Sequence, residues 1–423
     1  MVTTDAARLD LGQFLRPGDQ LVWGHACGEP TSLIEALIAQ AETLGPVAAF
    51  AATSFSGLLD TAAAEKIAIS SIGAIGSLRN LAQAHRLAIV PCHGGQVAAM
   101  IEQGLIGCDA AFVQVSAPDA DGNHSYGLIG DFIAAAVKKA RVVIAEVNER
   151  VPFTLGDAVL PAARIDCAVR VDRDPVEVPA APIGETDLAI ARAVASYIGD
   201  GATLQVGIGA VPDAILRLLR DRRDLGIHSG MIGDALVDLV EAGVITNARK
   251  PTDRGTSITG ALIGTRRLFA FADRNRAIGL RNSAYTHAPA VLSGLPRLVT
   301  INSALEVDLT GQVNAEQSGP QYLGGTGGQV DFVRAGARPP GGRSIIALPA
   351  TARSGAISRI TARLAGPVTT ARSEVDVIVT EFGAAELKGQ SLAERARRLA
   401  AIAHPDFREQ LERTARDIQQ RGF

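Results

Sequence analysis

Two stretches of this chain follow one plan. GDQLVWGHACGEPTSLIEALI begins at Gly18, and GATLQVGIGAVPDAILRLL begins at Gly201. Each reads as a short apolar strand, a glycine turn, a proline and an amphipathic helix. The likeness continues downstream in the same order. Leu44-Gly45 and its apolar run PVAAFAATSF match Leu225-Gly226 followed by IHSGMIGD. DAAFVQVSAPDADGNHS from Asp109 matches RLVTINSALEVDLTGQVN from Arg297, each with an Asp-x-x-Gly turn after a strand, and ARVVIAEV from Ala140 matches GRSIIALP from Gly342. Four matches in register imply two copies of one fold. Short β-branched strands alternating with helical segments make each copy an open, parallel-rich α/β sheet.

The expected division is an N-terminal domain over 1–180 and a C-terminal domain over 181–423. The proline- and charge-rich stretch DRDPVEVPAAPIGETD from Asp172 is the expected linker. The last segment reads as two amphipathic helices split at His404-Pro405.

Composition narrows the function classes. Apolar residues make up 47% of the 423, which supplies a large core, and the aromatic share of 4% makes that core aliphatic. The net charge of -3, without basic or acidic blocks, argues against a nucleic-acid partner. No apolar run is long enough for a bilayer, and MVTTDAARLDLGQFL lacks the pattern of a secretory signal. Cys27, Cys92, Cys108 and Cys167 have neither CxxC nor zinc-finger spacing, and no metal-ligand cluster is evident. The expectation is a reduced, soluble, cytoplasmic protein with no membrane partner.

Several motifs can carry chemistry. In Gly207-Ile208-Gly209-Ala210-Val211-Pro212 the glycines permit close backbone approach. Pro212 suits the first helical position, so free amides face an anion. A purely structural turn is the alternative. The motif is not the dinucleotide fingerprint, which argues against a nicotinamide-dependent dehydrogenase. The run Gly324-Gly325-Thr326-Gly327-Gly328-Gln329 bares a stretch of backbone whose amides can form an oxyanion hole. A flexible surface loop is the alternative, and the strand-like QVDFV after it favours a shaped turn. His228 and Ser229 are adjacent on a strand, so they point to opposite faces and His228 does not activate Ser229. Glu29, Glu146 and Glu381 are the remaining polar candidates. Glu29 lies in the first glycine turn on the N-cap side of a helix, where a carboxylate is favourable in any case. Glu146 and Glu381 at strand ends are candidate acid–base groups or ion-pair partners.

Together these motifs resemble the acetyl-CoA hydrolase/CoA-transferase family, in particular its 4-hydroxybutyrate and butyrate CoA-transferase branch. The resemblance runs from VWGHACGEP through QVSAPDADGNHSYG, AEVNERVP, LQVGIGAVPDAIL, LGIHSGMIGDALVDLVEAGVI and INSALEVDLTGQVN to GTGGQVDFVR, VTEFGAAELKG and AIAHPDF. It implies two tandem NagB/RpiA-like CoA-transferase domains, an acyl-CoA or carrier-bound thioester substrate, a homodimer or larger assembly, and no permanently bound cofactor. Coenzyme A is then substrate or product. It implies that Gly327 and Gly328 supply the oxyanion contacts, that Gly207, Gly209, Gly325 and Gln329 join them around CoA, and that Glu29, His228, Ser229 and Met231 line the substrate. Glu381 is a further catalytic candidate.

One position departs from the family pattern, which is His-Ser/Thr-Glu-Met with the glutamate attacking the acyl-CoA. Here that position is Gly230, so the ping-pong route through a glutamyl-CoA thioester has no nucleophile there. The expectation is hydrolysis or direct acyl transfer. A CoA-transferase with a relocated nucleophile and a non-catalytic thioester-binding module are the alternatives.

Overall fold

The computed structural model describes residues 2–421. The chain packs as two compact units. The first comprises Met1–Pro179, Gly230–Asp234 and Thr256–Ala288; the second comprises Ala180–Ser229, Ala235–Gly255 and Pro289–Phe423. Residues 172–184 carry no regular secondary structure.

The first unit is built on an eight-stranded sheet. Its spatial order is Val2–Asp5, Cys167–Val171, Val142–Asn148, Ala110–Val115, Gln20–Trp23, Val47–Phe50, Ile67–Ser71 and Leu87–Ile89. Every neighbouring pair is parallel. Such a sheet needs helices on both faces, and its strands should be apolar on both sides. The core bears this out. Val22, Phe50, Ala111, Val113 and Ala145 pack on one face with Val97, Ile101, Ile133 and Val137 from the helices Val97–Gln103 and Ile133–Lys139. Leu21, Trp23, Ala49, Phe112 and Ile144 pack on the other with Leu33, Ile34, Leu37 and Leu44 from the helix Thr31–Leu44. The same unit holds the parallel strand pair Ser257–Thr259 and Ile278–Leu280.

In the second unit the strands run Gly226–Ser229, Thr203–Gln205, Leu298–Ser303, Arg343–Ala347, Val377–Thr380 and Gly383–Glu386. All pairs are parallel except the last, which is an antiparallel hairpin. The first five strands repeat the order of Val47–Phe50, Gln20–Trp23, Ala110–Val115, Val142–Asn148 and Cys167–Val171 in the first unit. The duplicated motifs therefore occupy equivalent strands, and both copies are open, parallel-rich α/β sheets. The terminal segment forms helices Leu392–Ala401 and Pro405–Arg421, broken at His404-Pro405 as expected. Leu399, Ala403 and Leu411 join Ile346, Ile378 and Leu387 in the core.

Three local readings change. QVDFV is not a strand: Gln329–Gly336 is a helix entered at Gly328, with Asp331 in its first turn. Val330, Phe332, Val333 and Ala335 are buried, so helical packing outweighs the β-branched local preference. Pro212 is the third residue of the helix Ala210–Leu218, where its missing N–H is still among the unpaired first-turn donors. Glu146 lies inside the strand Val142–Asn148 rather than at its end, opposite Val169.

Candidate functional site

Gly230 follows directly on the strand Gly226–Ser229 and is partly exposed. Its carbonyl accepts the Gly260 amide at 3.2 Å. The chain beyond is held by Ile232 N–H on the Ala261 carbonyl at 3.0 Å and Ile263 N–H on the Ile232 carbonyl at 2.9 Å. Met231 is partly exposed. Asp234, the nearest carboxylate along the chain, turns onto the start of the helix Arg266–Ala272. It accepts the Thr265 amide at 3.0 Å, the Thr265 hydroxyl at 3.0 Å and the Leu268 amide at 3.2 Å. A carboxylate at the first turn is a favourable helix anchor, and this one is engaged by three donor groups.

Gly260 lies between the Gly230 backbone and a second polar group of the first unit. A Cβ placed on Gly260 would lie 3.0 Å from the Gly230 carbonyl oxygen and 3.4 Å from the Asp131 Cβ. Asp131 Oδ2 lies 2.6 Å from His25 Nε2, and its Oδ1 accepts the Phe132 amide at 2.6 Å. The His25 ring stacks on Phe132 with centroids 5.3 Å apart, and Ala26 beside it holds a left-handed backbone at φ 51°. Burial disfavours a charged imidazole, but the Asp131 carboxylate outweighs it and holds the His25 pKa above its usual value. His25 Nδ1 is buried without a hydrogen-bond partner, as is the Ser283 hydroxyl, whose own amide donates to the Asp131 carbonyl at 2.9 Å.

Two buried carboxyls have different settings. Glu29 is 1% exposed and accepts four donors: the Ser54 hydroxyl at 2.9 Å, the Phe55 and Ser56 amides at 2.6 and 3.2 Å, and the Ser56 hydroxyl at 2.6 Å. It ties the first glycine turn to the loop after Val47–Phe50. Burial still pushes its pKa up, against those four bonds. Glu146 has no exposed surface, and its Oε2 accepts the Ser32 amide at 2.7 Å at the head of the helix Thr31–Leu44. Its Oε1 has no partner, and burial raises its pKa to about 7. Cys27 is buried and its thiol is pushed up to about 12, which keeps it protonated at neutral pH.

The second unit carries the glycine turns. Gly209 precedes the helix Ala210–Leu218 at φ 116°, and Gly327 precedes Gln329–Gly336 at φ 47°. A Cβ on Gly207, Gly209 or Gly327 would meet no atom within 4 Å, so at Gly209 and Gly327 it is the positive φ that calls for glycine. Gly207, Gly209, Gly325, Gly327 and Gly328 are all partly exposed. Gln329 is buried, with its amide nitrogen 3.4 Å from the Thr370 hydroxyl. The glycine run rests on Glu316. The Glu316 carbonyl accepts the Leu323 and Gly324 amides, and its carboxylate accepts the Thr369 hydroxyl at 2.7 Å and the Tyr322 hydroxyl. His228 and Ser229 have no exposed surface, and Ser229 donates to the Val206 carbonyl at 2.8 Å. Glu381, partly exposed after the strand Val377–Thr380, accepts the Ala350 amide at 2.8 Å.

Sequence reasoning singled out neither His25 nor Asp131 nor Glu316. His25 sits inside GHACGEP, and Asp131 shortly after DGNHSYG, so the motifs were in view. Their pairing across 106 residues was not.

Comparison with known proteins agrees with the architecture. Residues 9–179 match the family model "Acetyl-CoA hydrolase/transferase N-terminal domain" and residues 264–415 match "Acetyl-CoA hydrolase/transferase C-terminal domain". The 4-hydroxybutyrate coenzyme A transferase of Clostridium kluyveri is 39% identical over 396 residues, 93% of this chain and 92% of that one. Among solved structures, RipA from Yersinia pestis superposes with a TM-score of 0.91 at 33% identity, covering 99% of this chain and 97% of that one. The 4-hydroxybutyrate CoA-transferase from Porphyromonas gingivalis superposes with a TM-score of 0.84 at 35% identity, covering 100% and 98%. With near-complete coverage by such relatives, this chain belongs to the acetyl-CoA hydrolase/transferase family.

Proposed function

We propose that this enzyme cleaves an acyl-CoA or carrier-bound acyl thioester by hydrolysis or direct acyl transfer, without a glutamyl-CoA intermediate. The observation that carries the reading is Gly230, which stands where the family resemblance puts the attacking glutamate. Asp234 does not substitute for it, because its oxygens are engaged by Thr265 and Leu268. Cys27 is held as a thiol.

The rest of the machinery favours retained catalysis over a binding-only role. The helices after Gly209 and Gly328 begin at partly exposed glycines. Bare amides of this kind suit a thioester oxyanion and the amide-rich pantetheine arm. Acyl transfer sites that lose a nucleophile retain catalysis through such donors.

The test is to incubate the protein with acetyl-, butyryl- and succinyl-CoA, with and without acetate, and to follow free thiol and new thioesters by mass spectrometry. Thiol release without acetate supports the proposal. Acetyl-CoA formed from butyryl-CoA and acetate, together with a borohydride-trapped carboxyl-CoA thioester on the protein, would overturn it in favour of a CoA-transferase with a relocated nucleophile.

A further inference from the structure

One cavity of the second unit gathers arginines that no carboxylate answers. It has a volume of about 260 Å³ and lies beside the turn that Asp308 and Gln312 close. Arg363, Arg372 and Gln312 line it, and Leu364, Val368 and Ile418 add apolar surface. Behind this lining, Arg395 of the helix Leu392–Ala401 is 8% exposed. Its guanidinium group donates to the carbonyls of Gln390, Thr310 and Arg372 at 3.3, 3.2 and 2.6 Å. Gly311 makes room for it, since a Cβ there would lie 3.1 Å from Arg395 Nη1.

Among the described residues, none of these three arginines is ion-paired. The hydrogen bonds of Arg395 are met by carbonyl dipoles, but its charge is not met by an anion. Burial, and then the Arg372 charge, hold its pKa below the ordinary arginine value. Buried charges in proteins are paired, whereas this one faces a second cation. The lining carboxylate does not make up the deficit. Asp308 accepts the Thr310 amide and hydroxyl at 2.9 and 2.7 Å, and the Gln312 amide and side chain at 3.1 and 2.9 Å. Those four bonds fix the turn, and none comes from an arginine.

We infer that this cavity binds a small organic carboxylate, its charged end on Arg372 and Arg363 and its aliphatic part on Leu364, Val368 and Ile418. A planar guanidinium group matches the two oxygens of a carboxylate. Val368 leaves 47% of its surface bare beside the two arginines, and an aliphatic chain covers such surface where a hydrated inorganic ion does not. The volume falls just below the usual range for drug-sized ligands, which suits an acid of a few carbons. The site shares no residue with the glycine turns, and the inference does not depend on the reading of Gly230.

The experiment follows the Ile418 δ-methyl group of the unaltered protein by ¹³C NMR without CoA, with Ile418→Val to assign the signal. Sodium butyrate is titrated at constant ionic strength against sodium chloride, with sodium phosphate in a parallel arm. Butyrate is expected to shift the signal saturably. With Arg363→Gln and Arg372→Gln combined, its Kd should rise roughly tenfold or more, in line with the loss of hydrogen bonds between charged groups. Val368→Glu puts a competing carboxylate in the cavity from an exposed position and should abolish the shift. It keeps the test open if the double variant does not fold, which melting temperature reports. No saturable butyrate shift in the unaltered protein would overturn the site. A shift that persists unchanged in the folded variants would overturn its assignment to these residues. Tighter saturation by phosphate than by butyrate would overturn the organic acid as its ligand.

Discussion

Asp234 Oδ1 accepts the Thr265 hydroxyl and the Leu268 amide, and its Oδ2 accepts the Thr265 amide. The carboxylate that follows the Gly230 turn thereby starts the helix Arg266–Ala272. Asp234→Ala should destabilise the protein by roughly 1–2 kcal/mol, the usual loss for a capping side chain. Urea unfolding midpoints would measure it. An unchanged midpoint would mean that the three bonds contribute nothing net.

Gly230→Glu tests the departure from the family pattern directly. Gly230 is not among the described glycines held at positive φ, so a side chain there meets no left-handed backbone penalty. The restored carboxylate should let the protein exchange CoA between butyryl-CoA and acetate, with a borohydride-sensitive thioester at position 230. Mass spectrometry of the trapped peptide reads the outcome. Its absence, with the fold intact, would count against position 230 as the point of attack.

Glu146 should make stability fall with rising pH. Its folded pKa of about 7 exceeds the ordinary 4.5. Between these values the folded protein keeps a proton that the unfolded chain releases, so stability drops as pH rises through that window and levels off above it. At 1.36 kcal/mol per pH unit the full drop is roughly 3 kcal/mol. Glu146→Gln keeps an acceptor for the Ser32 amide and should flatten the slope. Denaturation at pH 5 and pH 8 for both proteins provides the comparison, and equal slopes would contradict the assignment.

Gly76 closes the loop that carries the donors to Glu29. It sits at φ +68°, and a Cβ there would lie 1.9 Å from the Ser54 carbonyl oxygen. Ser77 caps the same carbonyl through its amide at 2.8 Å, and its hydroxyl bonds the Ser54 hydroxyl at 3.1 Å. Gly76→Ala should therefore cost roughly 2–3 kcal/mol, at the upper end for single substitutions. It should also loosen the Ser54 contact with Glu29, visible as faster hydrogen exchange at Phe55 and Ser56. A melting temperature within a degree of the parent would refute the steric argument.

Much of the architecture was legible because it is written locally and twice. Strand, glycine turn and helix recur at Gln20–Trp23 with Thr31–Leu44 and at Thr203–Gln205 with Ala210–Leu218. The apolar runs matched the buried strands of a sheet covered on both faces. The same covering explains His228 and Ser229: the alternation argument put them on opposite faces, and neither face leaves them exposed surface. Glu29 was visible as an acidic residue in a glycine turn, but its donors come from Ser54 to Ser56, on a different element. QVDFV was misread because a short apolar run does not distinguish strand from helix, and the decision came from packing around Phe332 and Val333. The pairing of His25 with Asp131 depends on which loops meet at the ends of the strands. No local pattern encodes that.

The two sheets differ at one border. The first unit's outer strand, Val2–Asp5, pairs with Cys167–Val171, whereas the second unit folds Gly383–Glu386 straight back on Val377–Thr380. The two borders therefore have different histories on the ribosome. The second can zip as soon as its hairpin emerges, a local event of low contact order. The first must hold Val2–Asp5 unpaired until Cys167–Val171 has been made, by loop closure over roughly 160 residues. Until then Val2–Asp5 is a free strand beside an unfinished parallel sheet. A substitution in Cys167–Val171 would therefore also decide when Val2–Asp5 is secured, through the order of assembly rather than through any contact in the finished protein.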